Sequence, residues 1–264
     1  MSVNVQKPSR ELSIDETLTW TFDLYFRNFA AFFVPMIIAA VVSGVFGALL
    51  SDYVLHMPPL DTAASQQEVL NWLSTYLGGL LIRAFALGIL SWIVGTIASG
   101  VVVKCASDSI EKGAVNLENA FSSALTKLPL LLVAGLIYVI LVGVGFIALI
   151  IPGIILAIMF SLNVPAIMIE NAGALGSLSR SRKLVSGRWL KTFTLLLIIM
   201  LIVGLISFIG SLMTAPFGIF SWLASSIISA FVEPILPISL AVYYYSMFGR
   251  EQQQRVPPPP PPPF

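Results

Sequence analysis

From Leu128 to Ile169 the chain carries no Asp, Glu, Lys or Arg. At about 1.5 Å of rise per residue, a helix of that length would be roughly twice as long as a hydrocarbon core of about 30 Å. The segment therefore has to fold back on itself, and Pro152-Gly153 is the natural place to turn, with Pro165 predicting a kink on the way back. Composition agrees: 57% of the residues are apolar and 10% charged, and the mean hydropathy is +0.93. One soluble core cannot cover that much apolar surface, so the class is an all-α integral membrane protein.

The same reasoning divides the rest of the chain. Ala30–Leu50 and Leu77–Val103 are the first two spans, the third ends near Ile150, and the fourth covers Ile154–Ile169. Lys191–Leu212 and Trp222–Met247 are the fifth and sixth, the last interrupted by Pro234 and Pro237. Six transmembrane helices in three hairpins result. Residues 1–29 form a cytoplasmic N-terminal segment, 30–249 the six-helix transmembrane domain, and 250–264 a proline-rich cytoplasmic tail whose Pro257–Pro263 favours an extended polyproline rod or spacer.

Amphipathic cytoplasmic interfacial helices complete the plan. Met1–Arg10 reads as polar and mobile. Ser13 with Glu16, and Ser65 with Glu68, have capping-box spacing. After Ser13, Ile14, Leu18, Phe22, Tyr25 and Phe29 line one arc and Asp15, Thr19 and Asp23 the other, which predicts a helix lying flat on the bilayer. Leu117, Ala120, Phe121, Ala124, Leu125 and Leu128 predict a second in-plane helix. Leu12–Ile37, Ala114–Val139 and Gly173–Ile199 each read as an amphipathic segment entering an apolar helix, an internal repeat. Two seams of small residues, Ala40/Gly44/Ala48 and Ser91/Gly95/Ser99, predict close helix packing.

With six spans, Lys7, Arg10, Arg27, Lys104, Lys112, Lys127, Arg180, Arg182, Lys183, Arg188, Lys191, Arg250 and Arg255 all fall on one side. Only Arg83 falls elsewhere. The positive-inside rule then places both termini in the cytoplasm of a multi-pass cell-membrane protein.

Charged residues in or near the membrane are the candidate sites. Arg180, Arg182, Lys183, Arg188 and Lys191 could bind anionic lipid headgroups or phosphorylated ligands, although the same charges also fix topology. Glu170 would pair with Arg180 or Arg182 at the interface. Glu233 stands near the middle of the sixth span beside two prolines, where an ionised carboxylate is costly. It reads either as a transport site or as an acid satisfied within the bundle by Arg83, with Asn163 and Ser161 contributing to the same polar interior. Cys105 is the only cysteine and reads as a free thiol at the membrane edge, open to acylation. His56 reads as a loop residue.

Ile151-Pro152-Gly153-Ile154, Val164-Pro165, Ile169-Glu170, Leu178-Ser179-Arg180-Ser181, Leu184-Val185 and Gly187-Arg188-Trp189 resemble the pattern of a broad group of uncharacterised six-span prokaryotic membrane proteins. Ser13-Ile14, Tyr25-Phe26-Arg27-Asn28-Phe29, Tyr244-Tyr245 and Arg250 resemble its ends. That group looks related to the membrane domain attached to some glycerophosphodiester phosphodiesterases. The resemblance implies a membrane scaffold of unknown function. The phosphodiesterase activity of the fused relatives belongs to a separate soluble domain and is not carried over.

Paired-carboxylate spacing, a His-centred triad, a metal-ligand cluster and a phosphate-binding glycine loop are all missing from the sequence. The expectation is a non-enzymatic scaffold or lipid-contacting component without catalytic residues, metal or cofactor. Its partners would be membrane lipids, other proteins or a second copy of itself, and not nucleic acid. The alternative is a transporter or channel for a small ion or lipid-like solute, with its polar site at Glu233.

Overall fold

Ser13 opens the first helix as its spacing predicts: its Oγ accepts from the Glu16 N–H, and the Glu16 carboxylate accepts from the Ser13 N–H at 2.8 Å. The computed structural model describes residues 7–60 and 64–255, among which all regular structure is helical. In chain order the helices are α1 (Ile14–Arg27), α2 (Phe29–Leu55), α3 (Gln66–Trp72), α4 (Gly78–Lys112), α5 (Leu117–Thr126), α6 (Leu128–Ala148), α7 (Ile150–Met159), α8 (Asn163–Glu170), α9 (Ala174–Val185), α10 (Trp189–Thr214), α11 (Ser221–Val232) and α12 (Ile235–Arg255). A π-helical turn, Leu73–Leu77, joins α3 to α4, and the 3-10 turn Ala215–Phe220 joins α10 to α11. Ser65 and Glu68 form the second capping box.

Six runs are long and apolar enough to cross a membrane: α2, α3 through α4, α6, α7 through α8, α10, and α11 through α12. The chain is an all-α membrane protein. Three of these runs follow an amphipathic helix after a short joint: α1 meets α2 at Asn28, α5 meets α6 at Lys127, and α9 meets α10 through Gly187. At φ +77° Gly187 takes the left-handed conformation that favours glycine.

Tight packing is concentrated at the basic ends of the spans. Val101, Val102, Val103, Cys105 and Ala106 of α4 and Ala241 to Tyr245 of α12 are at most 1% exposed. Towards the opposite face the spans show apolar side chains to their surroundings, and in α6 only 17% of the most apolar window is buried. A lipid-facing surface explains this, because hydrocarbon tails solvate Leu and Ile as well as another helix does.

Both proline expectations shift by a few residues. The reversal of the long uncharged segment falls at Leu149 (φ −167°, ψ 153°), and Pro152-Gly153 lie in the first turn of α7. A proline is tolerated there because that N–H has no helical partner in any case. Gly153 is needed for closeness: a Cβ on it would meet the Phe146 ring at 2.5 Å. In the fourth run the break lies at Phe160–Leu162, ahead of Pro165, which again stands in a first turn. Ser181 of α9 mends it, accepting from the Leu162 N–H at 3.0 Å and donating to the Met159 carbonyl at 2.8 Å. Lys127 donates to the Ile167 and Met168 carbonyls, both at 3.1 Å, and so caps the far end of α8.

Several placements differ from expectation. α1 does not lie flat: it runs antiparallel along α12, tied by the Leu12 N–H to Ser246 Oγ at 2.7 Å and by Tyr25 Oη to the Phe231 carbonyl at 2.8 Å. Thr17 and Thr21 are fully buried within it, which costs little because their hydroxyls donate to the Ser13 and Thr17 carbonyls. Of the N-terminal segment, residues 1–6 lie outside the described residues, and in Lys7 to Arg10 only Pro8 is buried. Lys7 Nζ sits 4.5 Å from the Phe248 ring centroid, and the missing Cβ of Gly249 lets the Pro8 carbonyl approach. Cys105 is fully buried, which removes it as an acylation site. Arg250 to Arg255 continue α12, while Pro257–Pro263 and Asp61 lie outside the described residues.

Candidate functional site

Three features gather the candidate residues. The first is the basic face, where charges read from sequence as one patch resolve into two clusters of ion pairs. Arg180 lies between Glu170 and Glu251, bonding each at 2.8 Å, and Lys183 reaches Glu251 at 3.0 Å. The Glu170 to Arg180 pairing anticipated from sequence is thus present. Glu11 collects three cations: Arg188 Nε at 2.9 Å, Lys191 Nζ at 2.6 Å and Arg250 Nε at 3.5 Å. Burial alone would raise the Glu11 carboxyl. The hydrogen bonds and charges of Lys191 and Arg188 outweigh it and hold the group below the usual carboxylate range. Arg182, Lys183 and Arg188 are exposed, and of the five expected residues only Arg182 makes no side-chain hydrogen bond or ion pair among the described residues. No periodicity or motif flagged Glu11, whose partners lie far from it along the chain.

The second feature is a partly open cavity of about 710 Å³ lined by α4, α6, α7, the start of α8, α10 and α12. Its walls are mainly Leu, Ile, Val and Phe, with Trp92, Thr96 and Ser99 from α4 and Ser161 and Asn163 from the break before α8 and its first residue. Gly95 lines it too, and a Cβ there would meet nothing within 4 Å. The Gly95/Ser99 part of the small-residue seam therefore borders open space instead of a packed helix. Asn163 accepts from the Val164 N–H at 2.6 Å and belongs to this cavity, not to the surroundings of Glu233.

The third feature is a groove of about 980 Å³ between α2 and α11, with Glu233 at one end and Asp52 at the other. Ser43, Ser51, Ser221, Ser225, Ser226 and Ser229 line it, and no Lys or Arg does among the described residues. At Gly44 the two helices close up, since a Cβ there would meet Ser226 Oγ at 2.5 Å and the Trp222 ring at 3.1 Å. Gly44 thus bears out the close packing expected of the Ala40/Gly44/Ala48 seam.

Pro234 positions Glu233. Without an N–H it ends α11 and frees carbonyls of the preceding turn, one of which, that of Phe231, is taken by Tyr25. Phe231 stacks on Phe29 and tilts against Phe33 at centroid distances of 5.5 and 4.8 Å, so the break lies beside the first turns of α2 instead of midway along that helix. Arg83 does not approach it. Its guanidinium lies 4.0 Å from the Tyr53 ring centroid and donates to the Gly79 carbonyl, which overturns the expected Glu233–Arg83 pairing. Apolar spans give no sequence signal for their rotation, so the partner could not be read in advance.

Residues 35–246 match the model of a domain of unknown function, DUF7847. The chain belongs to this DUF7847 family. The DUF7847 match takes in both cavities and most of the basic set, and leaves α1, with Glu11 ahead of it, outside. Among curated proteins, a UPF0259 membrane protein of Sodalis glossinidius (strain morsitans) is 30% identical over 171 residues, covering 61% of this chain and 68% of that relative. No solved structure matches the chain. This DUF7847 protein is a multi-pass membrane protein by its six apolar runs, and that relative is likewise named a membrane protein.

Proposed function

We propose that this protein is a non-enzymatic, lipid-contacting component of the cell membrane, with both termini in the cytoplasm and a lipid acyl chain seated in the cavity between α4, α6, α7, α10 and α12. The observation that carries this reading is the cavity itself: about 710 Å³, mainly apolar, and bounded by spans that face lipid. That volume falls within the usual range for a bound small molecule. Its polar groups Ser99, Ser161 and Asn163 lie towards the basic face, since α4 runs to Lys112 and α8 to Glu170. An anionic headgroup there would meet Arg182 and the positive surplus around Glu11. The family's likeness to the membrane domain of some glycerophosphodiester phosphodiesterases is part of the same reading, supported by the motifs from Ile151-Pro152-Gly153 to Gly187-Arg188-Trp189.

The test is lipid co-purification. Gly95→Leu extends into open cavity, so the variant should fold as the parent does yet carry fewer tightly bound lipids by native mass spectrometry. An unchanged lipid complement in a folded variant would overturn the reading.

A second reading, a conduit for a small solute, is favoured by the groove that reaches Glu233. Cation flux into proteoliposomes that is abolished by Glu233→Gln would support it, and absence of flux in the parent protein would sink it.

A further inference from the structure

Glu233 is singular among the carboxylates of the described residues. Glu11, Glu16, Asp23, Asp108, Glu170 and Glu251 are in ion pairs. Glu111 accepts from Tyr245, Glu68 closes a capping box, Asp15 accepts from Ser13, and Asp52 faces His56. Only Glu118 and Glu233 have no hydrogen-bond or ion-pair partner there. Glu118 needs none, because it stands in the first turn of α5, where the helix dipole favours a negative charge. Glu233 is exposed as Glu118 is, but it sits at the C-terminal end of α11, where the dipole disfavours an anion, and what it is exposed to is a groove between apolar spans.

The groove's chemistry selects what could relieve it. A small metal ion needs several oxygen ligands. The groove does not supply them: Ser226 donates to the Ala40 and Trp222 carbonyls at 3.1 and 2.8 Å, Ser225 pairs with Thr214 at 3.1 Å, and one turn from Glu233 only the Ser229 hydroxyl is left, with no group of three His, Cys, Asp or Glu among the described residues. Between them the walls are apolar, with Val45, Leu49 and Leu55 from α2 and Trp222 from α11. A single positive charge on an apolar body satisfies both halves of such a site, because the cation offsets the stranded carboxylate while the body covers the walls. Among the described residues no lining Lys or Arg competes for Glu233, and Asp52 at the far end gives the mouth the same sign.

We propose that the groove between α2 and α11 is a binding site for a monovalent lipophilic organic cation, with its charge at Glu233 and its apolar body along α11 towards Trp222. The site does not depend on conduction, so it stands apart from the conduit reading: a protein that binds the cation and passes none of it retains this site and loses that function.

Equilibrium binding of tetraphenylphosphonium to the full chain in nanodiscs of neutral lipid tests the proposal, with empty nanodiscs subtracted and tetraphenylborate as an anion of the same shape. The phosphonium should bind saturably and the borate should not. Glu233→Gln should weaken phosphonium binding by about tenfold or more, the scale expected when the charge partner of a desolvated cation is removed. Gly47→Leu is a second variant that leaves the acid in place. Its added side chain enters open groove, since a Cβ at Gly47 meets nothing within 4 Å, and it should weaken binding by obstruction. Phosphonium binding that persists unchanged in both folded variants, or equal binding of the borate, would overturn the site.

Discussion

Tyr25 Oη donates to the Phe231 carbonyl across 2.8 Å, joining α1 to the helix that Pro234 breaks. Ser181 does the same from α9 for the break before α8. In each case a helix outside the six crossings supplies the hydrogen bonds that an interrupted span cannot make for itself. Irregular backbone at membrane depth is tolerated only when it is satisfied in this way.

Tyr25→Phe removes the donor and leaves the ring. Burial pushes the Tyr25 phenol up to about 12, so it stays protonated and able to donate throughout the physiological range. The orphaned carbonyl should cost about 1–3 kcal/mol, read as a lower midpoint of thermal unfolding in detergent. An unchanged midpoint would show that water replaces the phenol at no cost.

Ser181→Ala should be at least as damaging, because it strips a partner from both Leu162 and Met159. A loss of about 1–3 kcal/mol per orphaned group is the scale. Hydrogen exchange should show faster opening at Phe160–Asn163 with little change in α2, whereas uniform acceleration would argue against a local mend.

Glu11→Gln removes the anion on which Arg188, Lys191 and Arg250 converge. The folded-state pKa of Glu11 lies below its ordinary 4.5, so its stabilisation is fully present above that value and is lost as pH falls through the lower folded value. The parent should therefore unfold at a higher temperature than the variant at neutral pH, and the two curves should converge in acid. A difference that persisted well below the carboxylate range would assign the effect to packing.

Glu233 and Arg83 should behave independently. Arg83 stacks on Tyr53 at the other end of α4 from the basic face, and no contact links it to Glu233. The stability changes of Glu233→Gln and Arg83→Gln should add within about 0.5 kcal/mol in the double variant. Rescue of one by the other would restore the ion pair that the structure disallows.

What could be read along the chain was local. Six crossings follow from apolar run length, both capping boxes from Ser and Glu three residues apart, the positions of the breaks to within a few residues from proline, and the sorting of Lys and Arg from the crossings themselves. Tertiary structure alone decided what those elements face. Because the spans are apolar all round, their periodicity does not say which side meets protein, and so the small-residue spacing that predicts a packed seam at Gly95 does not show that it borders a cavity. Thr17 and Thr21 carry no sequence signal of burial, and only hydroxyl bonds to their own helix make them fit for it. Glu11 acquired Arg188 and Lys191, and Glu233 was left without Arg83, through helix rotations and docking set by the bundle as a whole. Hydropathy places a helix in the membrane, but only the shapes of its neighbours determine how it is turned.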